Sequence, residues 1–394
     1  MSDVLLEEVT AEPILHRLLA SPSVQTDLFE EDPAIRRYLR ETVAAVAIEL
    51  GLLPEYDSMG NLVVRVGPSG PRRSLIFGYA MTHPANRMES AFVPTTISEE
   101  GGKRWVRGRG AAEQKASVTA ALMAAGWLQQ RRDELAGELV VCVATAGETG
   151  RHDAARAFLE AFGLPRFDWA LVALGTDNLI GLGNKGRVDL VVTVRGRSAH
   201  SSTPWAGIDA IGGAVEVMRR LNAVPLEGSH PELGSPTLTV TSIHSSPNAT
   251  HTLQDEVRMT VDRRLLPGDD PARVLADVRG ALAGLVPWAV EVEMGPAMHP
   301  SEVADDAPLV RSLQAAAAAA GRPALGTSWS HGAIDAGFFN QEGIPAVMLG
   351  PGDPEMFHTS DERVALDDVA FAARLYAITT HRHLTGGSPK GGRQ

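Results

Sequence analysis

Residues 184–211 read NKGRVDLVVTVRGRSAHSSTPWAGIDAI, and the pattern of the chain changes within this stretch. Before it, short apolar runs such as residues 139–144 alternate with helical segments, which is typical of an α/β sheet covered on both faces. From Val188 onward polar and apolar residues alternate, which predicts half-exposed antiparallel strands with two helices on one face. The α/β pattern resumes near Ala307. We therefore predict a large mixed-sheet α/β domain with a small α+β domain inserted into it.

These changes of pattern predict the domain boundaries. The α/β catalytic-type domain comprises residues 1–186 and 300–394, and the inserted α+β lid or dimerisation domain comprises residues 187–299. Residues 385–394, TGGSPKGGRQ, have the composition of a disordered tail.

Composition and charge exclude several classes of protein. The chain is 44% hydrophobic and 21% charged, which is ordinary globular composition. Its net charge is -12 and it has no long basic run, so we expect no nucleic-acid partner. No apolar segment is long enough to span a bilayer, and the acidic N-terminus lacks a signal-peptide pattern. We therefore expect a cytoplasmic protein without a membrane partner.

Six segments, in chain order, resemble motifs of the zinc-dependent family of aminoacylase, acetylornithine deacetylase and succinyl-diaminopimelate desuccinylase. They are SLIFGYAMTHP (74–84), GRGAAEQK (108–115), GETG (147–150), residues 184–211, PNATHTLQDEVRMTVDRRLLPG (247–268) and GPGDPEMFHTSDERV (350–364). The resemblance implies a hydrolase of an amide C–N bond in a small N-acyl amino acid or peptide that bears a carboxylate. It also implies two zinc ions bridged by a carboxylate, and a homodimer formed through the lid domain.

The resemblance places Glu113, Glu148 and His358 at ligand positions. Glu113 stands at the bridging position, one methylene longer than the family's Asp. Asp177 follows Thr176, which stands where the family has a further carboxylate ligand, so a shift of one residue would make Asp177 a ligand. We expect one zinc or another divalent metal ion, or no metal, in this altered site.

Several positions depart from the family pattern. Tyr79 stands where the family has its first His ligand, and neutral phenol is a poor zinc ligand because its pKa is ~10. Met81 replaces an Asp that would orient that His. Gly147 stands where the family has its general-base Glu, and glycine cannot accept a proton. His83, four residues after Tyr79, would replace that His only if the loop were rearranged, and we favour its interpretation as an ordinary loop histidine.

These losses leave few candidates for the chemistry. The candidate catalytic residues are Glu148, His200, Glu113 and Tyr79. His200 matches a lid histidine that, in the family, reaches across a dimer to stabilise an oxyanion. Arg264 suits a substrate carboxylate because its planar fork donates two parallel hydrogen bonds. The other candidate substrate contacts are Asn248, Gly350, Gly352 and His331.

Three hypotheses follow. The first is an amide hydrolase with an altered, single-metal or incomplete metal site. The second is a metal-independent enzyme of another reaction type, which uses acid–base residues on the same scaffold. The third is a non-catalytic protein that binds a small ligand or a partner. Metal analysis of the purified chain separates the first hypothesis from the others.

Overall fold

The computed structural model describes residues 4–98, 102–322 and 324–386, which form two compact units. The large unit comprises Met1–Gly183, Val303–Ser328 and Phe338–Gln394, and the small unit comprises Asn184–Glu302 and Trp329–Gly337. The predicted mixed α/β class is confirmed. The division into a catalytic-type domain and a lid domain stays a proposal about function. Most of the predicted disordered tail, residues 387–394, lies outside the described residues.

The described strands are β1 (Pro54–Tyr56), β2 (Leu62–Val66), β3 (Arg73–Tyr79), β4 (Thr95–Ser98), β5 (Arg104–Arg107), β6 (Glu138–Ala144), β7 (Trp169–Ala173), β8 (Ile180–Asn184), β9 (Gly186–Arg195), β10 (Thr237–Ser246), β11 (Glu256–Leu265), β12 (Ala289–Met298), β13 (Ser301–Glu302), β14 (Thr327–Ser330), β15 (Ala346–Met348) and β16 (Arg363–Ala365). In the large unit a mixed sheet has the order β1-β2-β6-β3-β7-β15-β8, and a second sheet has the order β16-β5-β4. Every residue of β3, β6 and β7 is buried, which is the pattern of strands covered on both faces.

The described α-helices are α1 (Glu8–Ala20), α2 (Pro33–Arg37), α3 (Ala44–Glu49), α4 (Ala116–Gln129), α5 (Asp153–Phe162), α6 (Ala210–Leu221), α7 (Pro271–Leu282), α8 (Pro308–Ala319), α9 (Ala336–Gln341) and α10 (Leu366–Leu384). Almost every residue of α4 is buried, because its Ala, Leu and Met residues leave it apolar on all sides. Within the described part of the chain we find no helix long and apolar enough to cross a membrane.

The carboxyl ends of the parallel strands bring the site loops to one edge of the large sheet. Strand β3 runs parallel to β6 and β7, and its last residue, Tyr79, pairs with Ala144 at the end of β6. The loop after β3 carries His83, the loop after β6 carries Glu148, and the loop after β7 carries Asp177. Open α/β sheets bind their ligands at this edge.

The small unit is an antiparallel sheet in the order β10-β11-β9-β12, with α6 and α7 on one face. Alternate residues of β9, from Val188 to Val194, are buried against these helices, as the sequence pattern predicts. The residues between them face the other side, where Arg195 pairs with Glu256 and Glu291. Strand β12 was not predicted, because Gly295 and Pro296 interrupt its alternating pattern.

Candidate metal centre

Three side chains of the large unit converge where the sequence predicts a metal site. One ligand atom from each of Glu113, Glu148 and His358 lies within 4.8 Å of the other two. His358 Nε2 is 3.2 Å from Glu113 Oε2 and 3.5 Å from Glu148 Oε1. Among residues 4–98, 102–322 and 324–386, no other set of three His, Cys, Asp or Glu side chains has this geometry.

The structure constrains each of the three residues in a different way. Glu113 lies in a single π-helical turn, Ala111–Lys115, which follows Gly110 in the left-handed conformation and leads into α4. Glu148 Oε1 accepts a hydrogen bond of 2.9 Å from Gln114 Nε2 in the same turn. His358 has a φ of +60°, which is uncommon for a residue other than glycine and is a kind of strain that clusters at functional sites.

The electrostatics of the three groups favour a positive charge between them. Burial raises the pKa of Glu113 to about 7, and the nearby charge of Glu148 acts in the same direction. Hydrogen bonds to Glu113 and Glu148 raise the pKa of His358 to about 10. Burial tends to raise the pKa of Glu148, but its hydrogen bond and ion pair with His358 outweigh burial and leave that pKa lowered. A proton or a metal ion can supply this charge.

The donor set fits one divalent metal ion. Two carboxylates and one imidazole are the kind of three-ligand set that catalytic zinc sites use, with a further position open to water or substrate. Carboxylate oxygens also suit harder divalent ions such as Mn²⁺. The resemblance places Tyr79 and Thr176 at the ligand positions for a second ion. These two residues offer only neutral hydroxyl groups, which are poor donors to a divalent metal ion.

Thr176 is committed to the structure of its loop. Its side chain is buried, and its Oγ1 donates to the carbonyl of Leu179 at 2.6 Å. The same oxygen accepts a hydrogen bond of 3.1 Å from the N–H of Gly350. The hydroxyl therefore ties together the loops that follow β7 and β15.

The structure does not bring Asp177 into the group formed by Glu113, Glu148 and His358. Its φ is +55°, and its N–H donates to the carbonyl of Gly352 at 2.7 Å. Partial burial raises the pKa of Asp177, and the charges of Asp368 and Asp353 raise it further. Its carboxyl group therefore lies among other acids, away from the shared ligand position.

Gly147, which the resemblance places at the family's general-base position, has no room for a side chain. A Cβ atom there would collide with the backbone carbonyl oxygen of Met81, which cannot swing away as a flexible side chain could. Met81 is itself fixed, because its N–H donates to the carbonyl of Ala146 at 3.0 Å. The backbone therefore leaves no space for a glutamate side chain at residue 147.

The Gly147→Ala variant is expected to lower the free energy of unfolding by about 1–3 kcal/mol, because overpacking displaces neighbouring backbone. Urea denaturation measures this effect. The matched control is Gly280→Ala in α7, where a Cβ meets no atom within 4 Å and alanine favours the helix. Equal stabilities of the two variants would contradict the tight packing at Gly147.

His83, which the sequence favours as an ordinary loop histidine, lies against the candidate centre. Its ring stacks on that of His358, with ring centroids 3.9 Å apart and planes 17° apart. Its Nδ1 is 3.2 Å from both the carbonyl oxygen of Pro84 and the side-chain amide nitrogen of Asn86. The indication in the sequence was its place in the same motif as Tyr79, at the end of a parallel strand.

Three predicted site residues, Tyr79, Gly350 and Gly352, make packing or backbone contacts within the large unit. Tyr79 is buried, and its ring packs edge-on against Phe77 with centroids 5.5 Å apart, so a catalytic role for it stays a prediction. Gly350 uses its N–H in the hydrogen bond to Thr176, so this N–H is not available to a ligand. A side chain at Gly352 would collide with the carbonyl of Ala112, which explains glycine there by close packing.

In the small unit, the Nδ1 atom of His200 contacts Ser202. It accepts a hydrogen bond of 3.2 Å from the N–H of Ser202 and lies 2.8 Å from Ser202 Oγ. With Nδ1 as the acceptor, the proton of the neutral ring is on Nε2. An exposed Nε2–H is the donor that an oxyanion role requires. Asn248 has a φ of +55°, and its N–H donates to Gln254 Oε1 at 2.5 Å.

Arg264, the predicted carboxylate ligand, already holds a carboxylate of its own chain. Its Nε and Nη2 bond to the two oxygens of Asp262 at 2.8 and 3.0 Å. Its Nη1 donates to the backbone carbonyl of His331 at 3.4 Å. A substrate carboxylate would have to share or displace Asp262, and the substrate roles of Arg264 and His331 stay predictions.

The described residues form a two-unit α/β protein in which the ligand atoms of Glu113, Glu148 and His358 converge. The model of peptidase family M20/M25/M40 matches residues 82–382. The chain is 27% identical over 341 residues to succinyl-diaminopimelate desuccinylase of Methylorubrum extorquens, and the match covers 82% of this chain and 86% of that one. This chain belongs to peptidase family M20/M25/M40.

Solved structures of the family share the fold. The M20 metallo-carboxypeptidase Sso-CP2 from Sulfolobus solfataricus superposes with a TM-score of 0.76 at 16% identity, covering 95% of this chain and 99% of that one. The YXEP protein of Bacillus subtilis, described as a dinuclear metal-binding M20 peptidase, gives 0.66 at 18% identity, with coverages of 96% and 98%.

Proposed function

We propose that this chain hydrolyses an amide C–N bond with one divalent metal ion held by Glu113, Glu148 and His358. The observation that carries the proposal is the convergence of their ligand atoms within 4.8 Å. The substrate we propose is a small N-acyl amino acid or peptide with a free carboxylate. The names of the relatives, a desuccinylase and a metallo-carboxypeptidase, support this class.

The side chains of the large unit have separate tasks in this proposal. A divalent ion, when bound, supplies a Lewis acid that polarises the amide carbonyl and makes water more acidic. Glu113, Glu148 and His358 hold the ion. Gln114 fixes the orientation of Glu148 through its hydrogen bond to Oε1. The conventional base is missing at Gly147, so another residue of the chain must accept a proton from water.

We assign the proton acceptor to His83. Its ring lies against His358, and it follows the strand end that faces the centre. His83 Nδ1 is 3.2 Å from both the carbonyl of Pro84 and the amide nitrogen of Asn86, and these two contacts require opposite tautomers. The proposal uses the tautomer in which Nδ1 donates to Pro84, since Nε2 of that neutral ring is an acceptor. A positioned imidazole is the most common general base in enzymes.

The His83→Asn variant is expected to lower kcat by about 10²–10⁴-fold, because it removes a general base. It is expected to leave the metal content per chain unchanged, because His83 is outside the ligand group. Steady-state kinetics with parallel metal analysis measures both quantities. Full activity in His83→Asn would contradict this assignment, and loss of metal would make His83 a ligand instead.

The small unit supplies the proposed substrate contacts. His200 offers its Nε2–H to the developing oxyanion, and Arg264 offers its guanidinium to the substrate carboxylate.

We also propose a homodimer through this unit. Strand β10 lies at the end of its sheet, and Ile243 on this strand is half exposed, so the strand could pair with a second copy. Sedimentation of the purified chain tests whether it forms this dimer. The cytoplasmic location expected from the sequence stays a prediction.

A metal-independent acid–base enzyme is the second candidate. The observation that favours it is that the His358 ring already contacts both carboxylates, at 3.2 and 3.5 Å. A charged His358 between Glu113 and Glu148 satisfies all three groups without an ion. Turnover that is unchanged after removal of the metal would favour this candidate.

A panel of N-acyl amino acids and dipeptides tests the proposed function. The chain is treated with a chelator, dialysed and then assayed with and without Zn²⁺, Mn²⁺ or Co²⁺. We expect hydrolysis that requires one of these ions and is lost on chelation. Absence of hydrolysis across the panel, with a small carboxylic acid still bound, would favour the non-catalytic alternative.

A further inference from the structure

A buried ion pair lies beside the candidate metal centre without belonging to it. Arg109 and Glu362 are 1% and 0% exposed at their side chains, and Arg109 Nη1 is 2.8 Å from Glu362 Oε2. Both residues fall in motifs that the sequence analysis singled out, GRGAAEQK and the segment that ends in HTSDERV. Neither residue has a role in the proposed function so far.

The carboxylate of Glu362 organises the turn that carries Glu113. Its Oε2 accepts a hydrogen bond of 2.9 Å from the N–H of Gly110. Its Oε1 accepts hydrogen bonds of 3.0 and 3.2 Å from the N–H groups of Ala112 and Glu113. These N–H groups start a helix and have no helical acceptor, so a carboxylate there fixes the backbone of the ligand residue.

The guanidinium of Arg109 connects the two loops that carry the stacked imidazoles. Its Nη2 donates to the carbonyl of Ala85 at 3.1 Å and to the carbonyl of Thr359 at 3.0 Å. Ala85 is two residues after His83, and Thr359 directly follows His358. The ion pair therefore bonds to all three segments that bring Glu113, His83 and His358 together.

We infer that the Arg109–Glu362 pair positions the centre, setting the placement of Glu113, His358 and His83 without contacting the metal or the substrate. This inference rests on the proposed function, because it needs a metal centre to position. A buried ion pair is weak support for stability on its own, since a well-packed apolar pair often serves as well. The hydrogen bonds that this pair makes to three site segments are the reason to assign it a positioning role rather than a role in stability alone.

The chain contains a matched control for this inference. Arg73 and Glu138 form an ion pair of 2.7 Å, and their side chains are 2% and 3% exposed. Arg73 is the first residue of β3, whereas the site loop follows the last residue of that strand. Breaking either ion pair leaves a buried charge without its partner. Only the Arg109–Glu362 pair makes hydrogen bonds to the site segments.

The experiment compares Glu362→Gln with Glu138→Gln in the full chain. Zinc affinity is measured by competition with a chelator, the Co²⁺ visible spectrum reports ligand geometry, and urea denaturation reports stability. We expect both variants to be less stable than the wild type. Only Glu362→Gln is expected to weaken zinc binding, by about 10–100-fold, and to change the Co²⁺ spectrum.

A second variant keeps the test decisive if Glu362→Gln does not fold. Arg109→Lys keeps the charge, but a single ammonium cannot reproduce the fork that reaches Glu362, Ala85 and Thr359. We expect weaker zinc binding here too. Wild-type zinc affinity in the folded variant, or equal weakening in Glu138→Gln, would overturn the positioning role alone. A wild-type chain that binds none of Zn²⁺, Mn²⁺ and Co²⁺ would overturn the proposed function and this inference with it.

Discussion

Glu148→Gln is expected to weaken metal binding by more than about 100-fold and to abolish metal-dependent hydrolysis. Even a partner outside the ligand set typically contributes 10–100-fold to affinity, so a direct ligand should contribute more. Glutamine has the same size, and its side-chain oxygen can still accept the hydrogen bond from Gln114. The change therefore removes the negative charge with little change of packing.

Isothermal titration with Zn²⁺ and kcat/KM on the best substrate measure this effect. The control is Glu160→Gln on the exposed side of α5, which is expected to match the wild type in both measurements. If Glu148→Gln bound metal as tightly as the wild type, Glu148 would not be a ligand. If it bound no metal but still turned over substrate, the metal-independent candidate would replace the proposed function.

Metal affinity is expected to rise steeply with pH, by about tenfold per unit between pH 7 and 9. The cause is competition with a proton on His358. Its two carboxylate partners raise the pKa of His358 to about 10, so the metal-free ring is protonated throughout this range. A metal ion can bind Nε2 only after that proton leaves, and rising pH makes its release easier.

The dependence is expected to steepen below pH 7, because burial raises the pKa of Glu113 to about 7 and a second proton then competes. Titration with Mn²⁺, which stays soluble over this range, measures the affinity. Calorimetry in two buffers of different ionisation enthalpy counts the released protons, and we expect about one per ion at pH 8. An affinity that does not change with pH would show that His358 is neutral in the metal-free chain, against this description of the centre.

Much of the architecture was predictable because it rests on periodic burial. The alternating residues of β9 and the apolar runs of β6 and β7 bury the faces that their patterns predict. Residues 33–49 have apolar spacing typical of a helix, but there the chain forms α2, a π-helical segment over Tyr38–Val43, and α3. Apolar spacing alone does not distinguish such an interruption from a continuous helix.

The site was predictable only in part, for a physical reason. Motif order placed Glu113, Glu148 and His358 in chain segments that the structure brings together. The closure over Gly147 depends on where the carbonyl of Met81 points, and the tie between Thr176 and Gly350 joins distant loops. The stacking of His83 on His358 is likewise a contact between distant loops, which no local sequence pattern encodes.

The number of metal ions bound per chain is the most direct test of the account. The purified chain is stripped with a chelator, incubated with excess Zn²⁺ and, separately, Mn²⁺, then desalted and measured by native and elemental mass spectrometry. We expect one ion per chain, lost in both Glu148→Gln and His358→Ala. Two ions per chain would contradict the replacement of second-ion donors at Tyr79 and Thr176, and no bound ion would contradict the metal centre itself.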